Sequence, residues 1–249
     1  MPRILTSILL TSSNIVFVPQ WQSPSHLASF WEADKLYDDA NNAAIPAVWE
    51  KAWKWYYDGM WGSQPFIPNQ DAISKQRFGS GNPFGSANIA MAITQSWYIA
   101  PNLAGGQHWD FGALPSYEGS VHGRVDADTF RIWKGTKHPR EAFDVLTYLL
   151  GPASADLLRA YGGVPARTAD QDAFFRARKQ QFPFVKNWEV LKAGLAYPDI
   201  PSAEGYMPNM IEAWDRLTAY GRLLTSNDTI SMDAEIESLR RDLDAIFKR

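Results

Sequence analysis

The chain reads as short strands interspersed with amphipathic helices, and three observations carry that reading. Short β-branched or apolar runs at Ile15–Val18, Ile89–Ile93 and Thr129–Trp133 have the length and composition of strands. Stretches between and after them repeat apolar residues at three- and four-residue steps, the period of an amphipathic helix. No internal repeat or low-complexity tract interrupts the alternation.

Taken in order, Ile15-Val-Phe-Val18 is a buried strand stopped by Pro19. Gln20 to His26 mixes polar and aromatic residues and reads as a loop at a strand end, where binding groups tend to sit. Leu27–Ala33 is a short helix. Pro46 opens a stronger one, in which Trp49, Ala52, Trp53, Tyr56 and Tyr57 share a face and are read as core. Asp71–Phe78 is a short helix. The following Gly79–Gly85 loop lacks the glycine spacing and the preceding strand of a dinucleotide fingerprint. Ile89–Ile93 runs into Thr94-Gln-Ser-Trp-Tyr98, where polar groups and two aromatics emerge together.

Residues 109 to 150 read as strand, loop, strand and capped helix. Pro139 suits a first helical turn because its missing N–H leaves nothing unpaired there, and Glu141 lies at the positive end of the dipole. Ala142, Phe143, Leu146, Leu149 and Leu150 make one apolar face, and Phe143 and Leu146 are expected to pack on a sheet. Gly151-Pro152 stops the helix. Helices are further predicted over Ala153–Ala160, Asp172–Gln181 and Val185–Gly194. Met207-Pro-Asn209 starts another, with Met210, Ala213, Trp214, Leu217 and Leu224 on or near one face. The last helix carries Ile236, Leu239, Leu243 and Ile246, with Ser231 and Asp233 at its start.

Composition removes several functional classes. A net charge of −3 with no basic stretch gives no footprint for nucleic acid. The absence of cysteine excludes disulfides, thiolate metal sites and cysteine nucleophiles. No apolar run reaches the roughly 20 residues of a membrane span. The opening Met1–Leu10 stretch is broken by Thr6 and Ser7 and is read as mature sequence rather than a leader. His26, His108, His122 and His138 have no helical pairing for zinc. Neither a Gly-x-Ser-x-Gly elbow nor a phosphate-cradling glycine loop is present, and no cofactor is expected. Asp126 and Asp128 form an Asp-x-Asp pair that suits a surface loop, a divalent cation or acid/base work. Eleven tryptophans are the anomaly, and most are read as core. What remains is rings beside polar groups: Trp21 with Gln22 and His26, Trp97 with Gln95 and Ser96, and Tyr206 with Asn209 and Trp214. Sugars, with flat C–H faces and a rim of hydroxyls, want that mixture. Trp214 stands equally well as core or as site.

Five separated stretches together resemble one family, the extracellular solute-binding proteins of ABC sugar importers, in the group similar to maltose-binding protein. They are Phe84-Gly-Ser-Ala-Asn-Ile-Ala-Met-Ala-Ile-Thr-Gln-Ser-Trp97, then Phe111-Gly-Ala-Leu-Pro115 with Thr136-Lys-His-Pro-Arg-Glu-Ala-Phe143, then Gly163-Val-Pro-Ala-Arg167 with Met207-Pro-Asn209. The resemblance implies a periplasmic-binding-protein-like fold of two α/β lobes, here with the first lobe incomplete and the chain N-terminally truncated. Residues 1–110 and 163–249 would form the second lobe, and 111–162 the returning segment of the first. Hinges would lie near Phe111–Pro115 and Gly162–Pro165. By the same resemblance Trp97 stacks on a sugar, and Gln22, Ser25 and His26 reach the ligand. Asp126 and Asp128 accept its hydroxyls, while Tyr206 and Trp214 flank the final cleft helix. The implied function is non-catalytic binding of a mono- or oligosaccharide by a periplasmic or extracellular, membrane-associated monomer that serves permease subunits. The alternatives are a carbohydrate-active enzyme using Asp126 or Asp128, and a remnant lobe without binding activity.

Overall fold

The computed structural model describes residues 8–10, 18–19, 23–74, 84–86, 88–99, 108–127 and 129–249. A small mixed sheet has the order β2-β3-β1-β4. Its strands are β1 (Ile8–Leu10), β2 (Val18–Pro19), β3 (Met91–Ile93) and β4 (Asp110–Gly112). β1 runs antiparallel to both neighbours, aligning Leu9 with Ala92 on one side and with Phe111 on the other. β2 lies parallel to β3. The strand predicted at Ile15–Val18 is described only at Val18, because 15–17 lie outside the described residues.

Helices supply most of the regular secondary structure among the described residues. They are α1 (Pro24–Ser29), α2 (Ala47–Trp61), α3 (Gln70–Ser74), α4 (Pro139–Leu150), α5 (Ser154–Tyr161), α6 (Thr168–Gln181), α7 (Trp188–Gly194), α8 (Met210–Ser226) and α9 (Met232–Phe247). One hydrophobic core joins α1, α2, α8 and α9. The predicted faces of α2 and α9 are buried: Trp49, Ala52, Trp53, Tyr56 and Tyr57 on the first, Ile236, Leu239, Leu243 and Ile246 on the second. Polar ties fix the angles between these helices. Trp53 Nε1 donates to the Pro24 carbonyl at 2.7 Å, Trp61 Nε1 to the Leu224 carbonyl at 2.9 Å, and Arg240 pairs with Glu50 at 2.5 Å.

A second core packs β3 and β4 on α6 and α7 through Phe84, Ala92, Phe111, Phe175, Phe182 and Trp188. The Asp110 carboxylate joins the two layers. It accepts from the Phe111, Lys186 and Asn187 backbone N–H groups and from Asn187 Nδ2, satisfying donors just ahead of α7. Most buried tryptophans therefore do core work, as expected.

The segment 129–161 departs from expectation. None of its residues is buried. Thr129–Trp133 is irregular rather than a strand, and Trp133 is 76% exposed. α4 begins and ends as predicted, with Pro139 in its first turn and Gly151 as its C-cap. Its apolar face is nevertheless open, with Phe143 56% exposed and Leu146 only half-buried. Among the described residues the Thr129–Trp133 run has no partner strand, and an extended run gains ladder hydrogen bonds only from a neighbour. Phe130, Ile132, Trp133, Val145 and Leu149 line an open groove of about 540 Å³ along this face. Gly162 ends α5 in the left-handed region, φ 94°, which favours glycine.

Candidate functional site

The strongest polar constellation gathers around one carboxylate, that of Glu204. Ser23 caps α1 by accepting from the His26 backbone N–H at 3.2 Å, which directs the Ser23, Ser25 and His26 side chains to one side of a short helix. Both serine hydroxyls donate to Glu204 Oε1, and His26 Nε2 meets Oε2. Arg124 approaches the same group from the chain between β4 and α4. Its guanidinium lies 3.8 Å from Glu204, 3.7 Å from Asp199 and 2.5 Å from Asp126. Glu204 is 6% exposed, His26 7%, and Asp199 is also buried.

Burial acts on both buried acids with different outcomes. It would raise Glu204, but the hydrogen bond and charge of His26, with the Ser23 and Ser25 hydroxyls, hold its carboxyl below the ordinary value. Burial pushes Asp199 up, against the pull of Arg124 and the backbone N–H of Val125. Among the described residues, no group of three or more His, Asp or Glu side chains is arranged to hold a metal ion.

The loop carrying Glu204 is tied down around this carboxylate. Tyr37 Oη donates to the Gly205 carbonyl at 3.3 Å, and the Gly123 N–H donates to the Tyr197 carbonyl at 2.7 Å. Two non-glycine residues here have left-handed backbone, Tyr206 at φ 61° and Asn209 at φ 47°. Asn209 Nδ2 donates to the Ile246 carbonyl at 2.7 Å, which holds that turn against α9. Such strain persists only where surroundings fix it, and it concentrates at binding sites. The Trp214 indole lies above His26, with ring centroids 5.9 Å apart and planes at 70°. Trp214 is 41% exposed and Tyr206 95%, so both rings face solvent, and that of Trp214 does so against the buried His26.

The predicted site residues divide accordingly. Ser25, His26, Asp126 and Trp214 are brought together around Glu204 and Arg124, with Tyr206 two residues from Glu204. Ser25 is fully buried, so its hydroxyl serves Glu204 rather than solvent. Asp126 is engaged by Arg124. Trp97 stands apart, half-buried against the second core beside Tyr98. Gln22 and Asp128 lie outside the described residues. Glu204, Arg124 and Asp199 escape sequence reasoning because single charges in polar loops look solvated.

The sequence matches the family model of bacterial extracellular solute-binding proteins over residues 11–183. The chain belongs to this family. No curated protein sequence matches it. Solved structures show which fold this solute-binding chain takes. A Thermus thermophilus maltotriose-binding protein bound with maltotriose superposes with TM-score 0.61 at 13% identity, covering 98% of this chain and 71% of that one. An ABC substrate-binding protein of Listeria monocytogenes in complex with cycloalternan gives 0.66 at 12%, covering 93% and 58%. A maltose/maltodextrin-binding domain from Bdellovibrio bacteriovorus bound to maltotriose gives 0.65 at 12%, covering 99% and 72%. The fold is thus that of periplasmic binding proteins, and the chain spans only part of the length of each. Among the described residues, no helix is long and apolar enough to cross a membrane.

Proposed function

We propose that this solute-binding chain holds a carbohydrate of the maltooligosaccharide class, without catalysis, for the permease subunits of an ABC importer. The observation that carries the reading is Trp214, exposed and held edge-to-face on His26 above the buried Glu204 cluster. An indole offers the flat apolar surface that a sugar's C–H face requires, and Tyr206 adds a second ring with a hydroxyl. Trp97, in the 3-10 turn Ser96–Tyr98 that follows β3, is a further proposed stacking residue. Maltotriose, bound in the Thermus and Bdellovibrio structures, sets the choice of sugar.

The proposed lobe division assigns residues 1–110 and 163–249 to one lobe and 111–162 to the returning segment of the other. The unburied run 129–161 supports it, since an apolar helix face of this kind belongs against a sheet. The proposed setting is extracellular or periplasmic, with the chain acting as a monomer.

Calorimetric titration of maltotriose into the chain and into Trp214→Ala tests the reading. Saturable binding is expected for the native chain. The substitution should weaken it by about 2 kcal/mol, roughly thirtyfold. Absence of heat with a folded protein, or equal affinity in the variant, contradicts the proposal.

A further inference from the structure

We infer that Glu204 is a positioning residue that sets the orientation of Trp214 through His26. Glu204 is buried and holds His26 by Nε2, while Ser23 and Ser25 fix the opposite carboxylate oxygen. The His26 imidazole thus has its ring plane set from one side. It also packs T-shaped on Trp214, at 5.9 Å and 70°. An aromatic pair of this kind prefers a narrow range of angles, so fixing one ring restricts the other. A half-exposed tryptophan on a helix face otherwise chooses among rotamers. The carboxylate does not reach solvent, so its part in recognition is to hold a surface that it does not form. That surface is the one on which the carbohydrate reading rests.

Fluorine NMR of the full chain labelled with 5-fluorotryptophan tests the inference, with the Trp214 resonance assigned from Trp214→Phe. The resonance should shift or broaden in Glu204→Met, which keeps side-chain length but removes both acceptor oxygens. It should stay at its native position in Glu204→Gln, which retains an acceptor for His26. Arg240→Gln breaks the pair with Glu50 elsewhere in the same core. It should destabilise the fold without moving the signal. Maltotriose affinity should fall about tenfold in Glu204→Met, the scale of one lost aromatic contact, and recover in Glu204→Gln. An unchanged Trp214 resonance in Glu204→Met, or an equal change in Arg240→Gln, overturns the inference. Should Glu204→Met not fold, nitrogen shifts of His26 in the native chain decide. A hydrogen-bonded proton on Nε2 supports the inference, and a proton confined to Nδ1 overturns it. If native protein binds no maltotriose, the carbohydrate reading fails, while the fluorine signal still decides the positioning role.

Discussion

Glu204 and Asp199 share one loop and one arginine, yet their carboxyls move in opposite directions. For Glu204 the partners outweigh burial and the folded value lies below its ordinary 4.5. A group lowered in this way contributes stability that is complete above the ordinary value and lost as pH falls through the folded one. For Asp199 burial dominates and the folded value lies above its ordinary 3.8. That group contributes stability below the ordinary value, and the contribution is lost as pH rises through the folded one. Two variants should therefore bend the acid limb oppositely. Glu204→Gln flattens the loss of stability on acidification and costs about 1–3 kcal/mol near neutral pH. Asp199→Asn steepens it. Urea unfolding across that range checks both, and limbs parallel to the native one would contradict the assignment. In the sequence, Ser25, His26 and Trp214 could be picked out because loop serines and aromatics beside polar groups are visible locally. Glu204 could not, since its hydrogen-bond partner Ser23 is 181 residues away along the chain.

At the scale of elements, periodicity proved a sound guide wherever a helix had something to pack on. The aromatic face of α2 is buried as the spacing implied. Trp53, within 5.2 Å of the Tyr220 ring and bonded to the Pro24 carbonyl, locks α1, α2 and α8 together. Trp53→Ala should cost about 3–5 kcal/mol, since it leaves a large cavity and an orphaned carbonyl. Trp55→Ala, on the exposed side of the same helix, should cost far less. Chemical denaturation compares the two, and equal losses would mean that α2 is not organised by its buried face. Thr129–Trp133 shows where sequence reasoning stops. Its residues suit a strand, but pairing is a property of two segments, and the described chain gives this one no neighbour. α4 makes the same point: its capping and apolar stripe were legible, its covering was not.

At the scale of the molecule, the run 129–161 holds no buried residue and is tied to α6 where Arg178 donates to the Leu158 and Arg159 carbonyls. Phe143, Val145 and Tyr148 are all exposed on α4. Contiguous apolar surface of this kind binds hydrophobic dyes and invites association. Changing Phe143, Val145 and Tyr148 together to Gln should lower the fluorescence of a bound anilinonaphthalene dye. Stability should change by no more than about 0.5 kcal/mol per substitution, since the replaced side chains pack little. A large loss of stability would show that this face is covered in solution. The two-lobe plan itself was legible only as family resemblance, because no local pattern reports how distant segments divide between lobes.

Hydrogen exchange with and without maltotriose tests the proposed site most directly. Binding at Trp214 and its base should slow exchange in residues 23–29 and 199–214, where the backbone carries Ser25, His26, Glu204 and Tyr206. Unchanged exchange in both segments in the presence of saturating maltotriose, or protection confined to the stretch around Trp97, would contradict it.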